Sequence, residues 1–177
     1  MKLDKSGILR LFRLLDAELA TAGVVGELYL VGGAVMCLAL DARDSTQDVD
    51  AVFRPTREVR DAALRVSALA GVQETWLNDA VKGFLSPRGE FDAHLELANL
   101  RVFVARPEYL LAMKCAAFRL GKEFHDLEDV RYLLRYLNIS SLDDAMTVVT
   151  RYIDESQLRP KTRFALEELL ATGRRPA

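Results

Sequence analysis

The stretch LYLVGGAVMCLALDARDSTQDVDAVF, residues 28–53, decides the fold of this chain. An apolar run ends at Gly32 and Gly33, a short apolar segment follows, and Asp48 and Asp50 introduce a second apolar run. Glycine pairs favour tight turns, and short apolar runs bounded by turn residues favour buried strands. The pattern predicts, in order, a strand, a tight turn, a short buried helix and a second strand, over residues 28–31, 32–33, 34–40 and 47–53.

Elsewhere, helical periodicity and alternation predict a helix before this stretch, a helix and two strands after it, and only helices beyond residue 105. The predicted helices cover residues 4–22, 56–70, 107–121, 126–138, 141–154 and 162–171, and the further strands cover residues 91–97 and 100–104. Thr56 is the predicted N-cap of its helix, and Ser140-Ser141 followed by Asp143-Asp144 predicts a capped start for the helix 141–154. We therefore expect an α/β (α+β) fold. A small mixed-sheet core over residues 1–105 would carry a helical subdomain, residues 106–177, packed on it.

Composition narrows the class of protein. The 177 residues are half hydrophobic and carry a net charge of −2, so no overall positive field attracts nucleic acid. No apolar stretch is long enough to cross a membrane, and the N-terminus does not resemble a signal peptide. Cys37 and Cys115 lie in apolar helical contexts, which indicates buried free thiols rather than a disulfide. We expect a cytoplasmic protein with no membrane partner.

The paired aspartates carry the first chemical signal. Residues two apart in a strand point to the same face, so Asp48 and Asp50 would project side by side. Two such carboxylates repel unless a cation or proton lies between them, and Mg²⁺ commonly takes one or two carboxylates together with substrate phosphates. The alternative is a solvated strand end with no ligand.

The two glycines carry the second signal. Between a strand and a helix, Gly32 and Gly33 would let backbone N–H groups approach a phosphate closely, while the start of the helix favours anions. The alternative is a tight turn without a ligand. A glycine pair followed by an Asp-x-Asp strand is more specific than either motif alone, and it predicts a phosphate cradle next to a metal clamp.

These residues resemble the DNA polymerase β-like nucleotidyltransferase superfamily, and the polar segment Arg43-Asp44-Ser45-Thr46 resembles its AbiEii/MenT-like bacterial branch. The resemblance implies that Gly32 and Gly33 bind a nucleoside triphosphate and that Asp48 and Asp50 bind Mg²⁺. Arg43, Ser45 and Thr46 are further candidates for contacts with phosphate.

The helical half holds a lysine in an unusual place. Lys114 falls in the middle of the apolar stripe of its predicted helix, where a carboxylate or a phosphate would have to compensate its charge. Asp126, at the start of the next predicted helix, offers a carboxylate, although it could also be a helix N-cap. The segment also resembles the AbiEii/MenT-like branch, with Lys114 and Asp126 as the matching residues. The resemblance implies that Lys114 places its charge on the triphosphate and that Asp126 orients Lys114 or contacts the acceptor. The neighbouring Asp129 could be confused with Asp126.

A third carboxylate for the metal is less clear. The strand 91–97 alternates, with Asp92, His94 and Glu96 on one predicted polar face. Glu96 is our weak choice as a metal ligand, with Asp92 next, and the alternative is an exposed sheet face.

The resemblance implies an Mg²⁺-dependent enzyme that moves a nucleoside monophosphate from an NTP to an acceptor. An RNA or tRNA 3′ end is the implied acceptor, which would make the chain the toxin of a toxin–antitoxin pair with an antitoxin protein as partner. Proteins and aminoglycoside hydroxyls are other candidate acceptors. Two basic groups could contact RNA or simply be solvated, namely Arg54, Arg57 and Arg60, and Arg159, Lys161 and Arg163. The alternative function is a catalytically silent nucleotide-binding or protein-interaction module on the same fold.

Overall fold

The apolar runs on either side of the two glycines form adjacent strands of a five-stranded mixed sheet, as part of a mixed α+β fold. The computed structural model describes residues 2–117 and 126–172. The strands are β1 (Leu3–Asp4), β2 (Gly26–Leu30), β3 (Ser45–Thr46), β4 (Val49–Arg54), β5 (Leu77–Asn78), β6 (Phe91–Glu96) and β7 (Leu100–Ala105). The helices are α1 (Lys5–Thr21), α2 (Gly32–Leu38), α3 (Thr56–Ala70), α4 (Pro107–Ala117), α5 (Asp126–Tyr136), α6 (Leu142–Tyr152) and α7 (Pro160–Thr172).

The chain divides into two units. The first comprises residues 1–84 and 91–105, and the second comprises residues 85–90 and 106–177. The segment 85–90, which the sequence placed in the first domain, is held within the second unit by tyrosines of α4 and α6. The backbone N–H of Ser86 donates to the Tyr109 hydroxyl at 3.0 Å, and the Tyr152 hydroxyl donates to Glu90 at 2.6 Å.

In the first unit the sheet has the order β5-β4-β2-β7-β6. The β2–β4 and β6–β7 pairs are antiparallel, whereas β2–β7 and β4–β5 are parallel. One face carries buried apolar side chains, such as Leu28 and Ala51. A Cβ atom added to Gly26, which lies on this face, would come within 3.2 Å of Leu19 in α1 and of Val59 in α3. Helices α1 and α3 therefore cover this face.

The predicted polar face of β6 is wrong, because the strand contains a β-bulge. Asp92 pairs with Val104, whose side chain is buried on the α1–α3 face, whereas Glu96 pairs with Arg101 on the opposite face. The pairing register shifts between Ala93 and Leu95. An extra residue at a bulge reverses the alternation beyond it. Asp92 and Glu96 therefore lie on opposite faces of the sheet.

Two local predictions in the first unit also need correction. The second strand begins at Val49 rather than at Gln47, because Ser45 and Thr46 pair with residues 3–4 in a separate two-stranded sheet. The chain thus changes pairing partner between Thr46 and Val49. Thr56 is not the N-cap of α3: Pro55 occupies that position, and the Thr56 hydroxyl donates back to the Phe53 carbonyl at 3.2 Å.

The second unit is built around α4, whose residues Tyr109–Ala112 and Cys115 are buried. The Tyr109 and Tyr152 rings lie 5.2 Å apart, and the Thr162 hydroxyl of α7 donates to the Cys115 carbonyl at 3.1 Å. The predicted capped start of α6 is confirmed, since Ser141 accepts from the Asp144 backbone N–H at 3.1 Å. The predicted helix 107–121 includes residues 118–121, which lie outside the described residues. The predicted helix 126–138 extends two residues beyond the end of α5 at Tyr136.

Both cysteines are free and buried, as predicted. Each helix in the described part of the chain is too short or too polar to pass through a bilayer.

Candidate active site

The turn between β2 and α2 brings the two glycines against the second strand. Gly32 has a φ of +65°, a conformation that glycine adopts without a steric penalty. The N–H of Val31 donates to the Asp50 carbonyl at 3.0 Å, which holds the turn beside the start of β4. A Cβ atom on Gly32 would lie 3.0 Å from Asp50 Oδ2. The Asp50 carboxylate therefore lies directly against the glycine turn.

Gly33 is equally close to the loop that precedes β4. A Cβ atom there would lie 2.6 Å from Thr46 Oγ1 and 3.3 Å from Arg43 Nη1. Only a glycine fits at this position without moving its neighbours. The fold thus brings together the glycine pair, Arg43, Thr46 and Asp50 within one unit.

Asp48 is half-buried and lies next to Asp50. Burial raises the pKa of the Asp48 carboxyl, and the negative charge of Asp50 raises this pKa further. The Asn78 amide acts in the opposite direction, since its Nδ2 donates to Asp48 Oδ2 at 3.1 Å. The Asp50 carboxylate is therefore close enough to oppose the ionisation of Asp48, as in a pair that shares a cation or a proton.

Asn78 is a site residue that the sequence analysis missed. It lies in β5, where it pairs directly with Asp50 of β4. This strand has two residues, too few for a periodic pattern to show. The only signal was a polar residue directly after the apolar pair Trp76-Leu77.

The hydroxyl candidates take different positions. The Thr46 hydroxyl donates to the Asp48 carbonyl at 3.1 Å, so its single proton fixes the loop that carries Asp48. Ser45 is half-buried and pairs with Asp4 in the two-stranded sheet. Thr46 thus contributes by positioning Asp48.

Glu96 is not brought to the aspartate pair. It is 79% exposed, lies 3.6 Å from the Arg101 guanidinium, and belongs to β6, three strands from β4. At the usual spacing of strands this is about 14 Å across the sheet. Glu96 also pairs at the level of Arg54, the opposite end of β4 from Asp50. Within residues 2–117 and 126–172, no cluster of three or more acidic, histidine or cysteine side chains forms a candidate metal site.

In the second unit, Lys114 contacts two carboxylates. Its Nζ lies 3.1 Å from Asp126 Oδ1 and 2.7 Å from Asp129 Oδ2. Lys114 exposes 12% of its side chain, and the two aspartates expose 3% and 2%. The sequence left open whether a carboxylate or a phosphate compensates Lys114, and in the structure carboxylates do so. Both Asp126 and Asp129 fill that role, because residues three apart share one face of a helix.

The arginines of the first basic group are divided between different contacts. Arg57 lies 3.9 Å from Asp61, and Arg60 forms a 2.7 Å ion pair with Asp79. The Arg54 guanidinium instead lies 5.8 Å from the centre of the Tyr29 ring.

Comparison with known proteins found no matching family model, no matching curated protein and no matching solved structure.

Proposed function

We propose that this chain is an Mg²⁺-dependent nucleotidyltransferase that moves a nucleoside monophosphate from an NTP to an acceptor. One observation carries the proposal: the Asp50 carboxylate lies against the Gly32 turn and beside Asp48, whose pKa is raised by burial and by the Asp50 charge. An acidic pair beside a glycine turn offers oxygen donors for a hard cation and backbone N–H groups for a phosphate.

The donor set fits Mg²⁺, since both aspartates offer oxygen atoms and the cation would remove their mutual repulsion. Asp48 and Asp50 would hold the ion. When bound, Mg²⁺ would neutralise charge on the triphosphate during in-line displacement at the α-phosphate. Asn78 orients the Asp48 carboxylate through its amide, and Thr46 fixes the Asp48 backbone.

The glycine turn and Arg43 would bind the phosphates. The backbone at Gly32 and Gly33 carries no side chain that would block a phosphate. The Arg43 guanidinium lies near Gly33 and supplies positive charge. We propose that this pairing of turn and guanidinium holds the triphosphate.

The acceptor and the biological context rest on the family resemblance. We propose an RNA 3′ end, such as that of tRNA, as the acceptor in the cytoplasm, with the chain acting as a toxin that a protein antitoxin restrains.

A second function is favoured by the contacts of Lys114. Its ammonium already lies within 3.1 Å of two buried carboxylates. A lysine engaged in this way contributes less charge to a triphosphate than the resemblance implies. The same fold could then serve as a nucleotide-binding or protein-interaction module without catalysis.

The test is incubation of the full chain with Mg²⁺, total RNA and each α-labelled NTP in turn. We expect label to be transferred to RNA by the wild type and lost in Asp48→Asn. Asp61→Asn, an exposed aspartate in α3, should transfer as well as the wild type. Binding of NTP without transfer to RNA, to protein or to aminoglycosides would instead establish the silent module.

A further inference from the structure

An aromatic cluster lies on the sheet face opposite the one that α1 and α3 cover. The Tyr29 and Phe103 rings stack with centroids 4.9 Å apart and an interplanar angle of 10°. Phe91 meets Tyr29 edge-on, with centroids 5.4 Å apart. All three rings are half-buried rather than enclosed. They form an aromatic row across three neighbouring strands.

The cluster continues into a cationic side chain. The Arg54 guanidinium lies 5.8 Å from the centre of the Tyr29 ring. In the described part of the chain, no carboxylate lies within ion-pair distance of Arg54. The contact of the guanidinium that the structure shows is therefore the face of an aromatic ring.

The cluster shares its face with the candidate metal site. Tyr29 pairs directly with Val52, and Asp50 and Arg54 precede and follow Val52 by two residues in the same strand. Residues two apart in a strand share a face and lie about 7 Å apart. Asp50, Tyr29 and Arg54 therefore lie on one surface of the first unit.

Packing alone explains part of this arrangement, since aromatic pairs across strands stabilise a sheet. It does not explain why a guanidinium without a carboxylate partner covers the central ring, or why the row lies beside Asp50. Aromatic rings combined with arginine are the usual means by which proteins hold unpaired nucleobases.

We propose that Tyr29, Phe91, Phe103 and Arg54 form a nucleobase-binding surface, which we call the Tyr29 platform. The inference rests on the proposed function for its choice of ligand. It adds residues to which neither the sequence motifs nor the resemblance gave a role in holding a base. The flat ring of the base would stack on the aromatic row, and Arg54 would contact the base or its phosphate.

The nucleobase has two sources, the NTP itself and an unpaired base of a nucleic-acid acceptor. The experiment separates them with base-free probes. In one arm, ATP is compared with inorganic tripolyphosphate, both with Mg²⁺. In the other, a twelve-residue oligoadenylate is compared with an abasic oligomer of the same length. Dissociation constants are measured by titration calorimetry on the full chain.

Tyr29→Leu is the main variant, because leucine fills much of the space without offering a flat ring. We expect it to weaken binding of ATP or of the oligoadenylate by about tenfold or more. Its binding of the corresponding base-free probe should not change. Tyr29→Phe should bind like the wild type, because it keeps the ring and loses only the hydroxyl that donates to Glu27. Phe164→Leu removes a ring that is 70% exposed in α7, and it should have no effect.

Weaker binding in the ATP arm assigns the platform to the NTP base, and weaker binding in the oligoadenylate arm assigns it to the acceptor. Two results would show that the platform is a packing surface only. In one, the wild type binds each base-containing probe no better than its base-free counterpart. In the other, folded Tyr29→Leu keeps the wild-type preference for the base-containing probe. Label transfer is scored separately. Label transfer by the wild type, together with an unchanged preference for the base in Tyr29→Leu, overturns this inference alone. Base binding that depends on Tyr29, without any label transfer, overturns the proposed enzyme alone.

Discussion

Asp48 and Asp50 illustrate at the scale of single residues how a site can be costly without its ligand. Burial and the neighbouring charge both raise the pKa of Asp48, so the ionised pair destabilises the fold at neutral pH. Asn78 offsets part of this effect through one hydrogen bond. The residue types and their spacing were readable in the sequence, but the contact with Asn78 was not, because it crosses from β4 to a strand of two residues.

The first prediction follows from this repulsion. Asp48→Asn should raise the free energy of unfolding in metal-free buffer at pH 7 by about 0.5–1 kcal/mol, as removal of like-charge pairs at functional sites does. Urea denaturation measures the change, and Asp61→Asn is the control. A destabilised Asp48→Asn with Asp61→Asn unchanged would show that the pair is not under electrostatic strain.

The gain in the free energy of unfolding expected for Asp48→Asn should depend on pH in a defined direction. Because the folded-state pKa of Asp48 is raised, the folded protein takes up this proton at a higher pH than the unfolded chain does. The repulsion is therefore present above the folded pKa and disappears as the pH falls through it. The advantage of Asp48→Asn in urea denaturation should shrink on acidification. An advantage that stays constant as the carboxylates titrate would contradict this cause.

Cys115 gives a second prediction at this scale. Burial raises the pKa of its thiol to about 12, and burial also raises the pKa of Cys37. Only the thiolate is nucleophilic, so neither cysteine should react with Ellman's reagent at pH 8 in the folded protein. Ser156→Cys, at an exposed position, should add one thiol that reacts rapidly. Rapid reaction of the wild-type protein would show that the structure around at least one of the two buried cysteines opens readily.

At the scale of elements, long periodic segments were predictable and short or irregular ones were not. Amphipathic helices such as α1 and α3 show their period over several turns, so their positions followed from the sequence. β3 and β5 have two residues each, which is too short for a period, and they depend on partners distant in the chain. The bulge in β6 was invisible for a different reason: the residue letters alternate across it, although the side chains do not.

The turn between β2 and α2 can be tested with two glycines of equal φ. Gly23 and Gly32 both have a φ of +65°, but only Gly32 has a neighbour within 4 Å of the added Cβ. Gly23→Ala should cost about 1 kcal/mol of stability from backbone strain alone. Gly32→Ala should cost a further ~1 kcal/mol, because its methyl group meets Asp50 Oδ2. Equal losses in urea denaturation would mean that Asp50 does not lie against the turn.

The contact between α4 and α5 makes another prediction. Lys114→Met should destabilise the protein by about 3–5 kcal/mol, because it leaves Asp126 and Asp129 buried without their cation. The triple variant with Lys114→Met, Asp126→Asn and Asp129→Asn removes all three charges and should recover much of that loss in urea denaturation. If the triple variant is no more stable than Lys114→Met, the ammonium is not the main compensation for these carboxylates.

At the scale of the whole molecule, the same triple variant separates a structural role of Lys114 from a role in binding. If the lysine only compensates the two aspartates, the folded triple variant should bind ATP with Mg²⁺ as the wild type does. If the ammonium also reaches the triphosphate, as the resemblance implies, the variant should bind ATP at least tenfold more weakly. Its binding of tripolyphosphate should weaken to the same extent. The resemblance could not decide between these roles, because a motif names the lysine but not the number of carboxylates around it.

The account as a whole depends on Asp48 and Asp50 holding Mg²⁺ for a polyphosphate, and calorimetric titration of ATP tests this most directly. The wild type should bind ATP at least tenfold more tightly with Mg²⁺ than without it. Asp48→Asn and Asp50→Asn should lose this dependence, while Asp61→Asn keeps it. Wild-type affinity for ATP that is the same with and without Mg²⁺, or a dependence that survives in both site variants, would contradict the account.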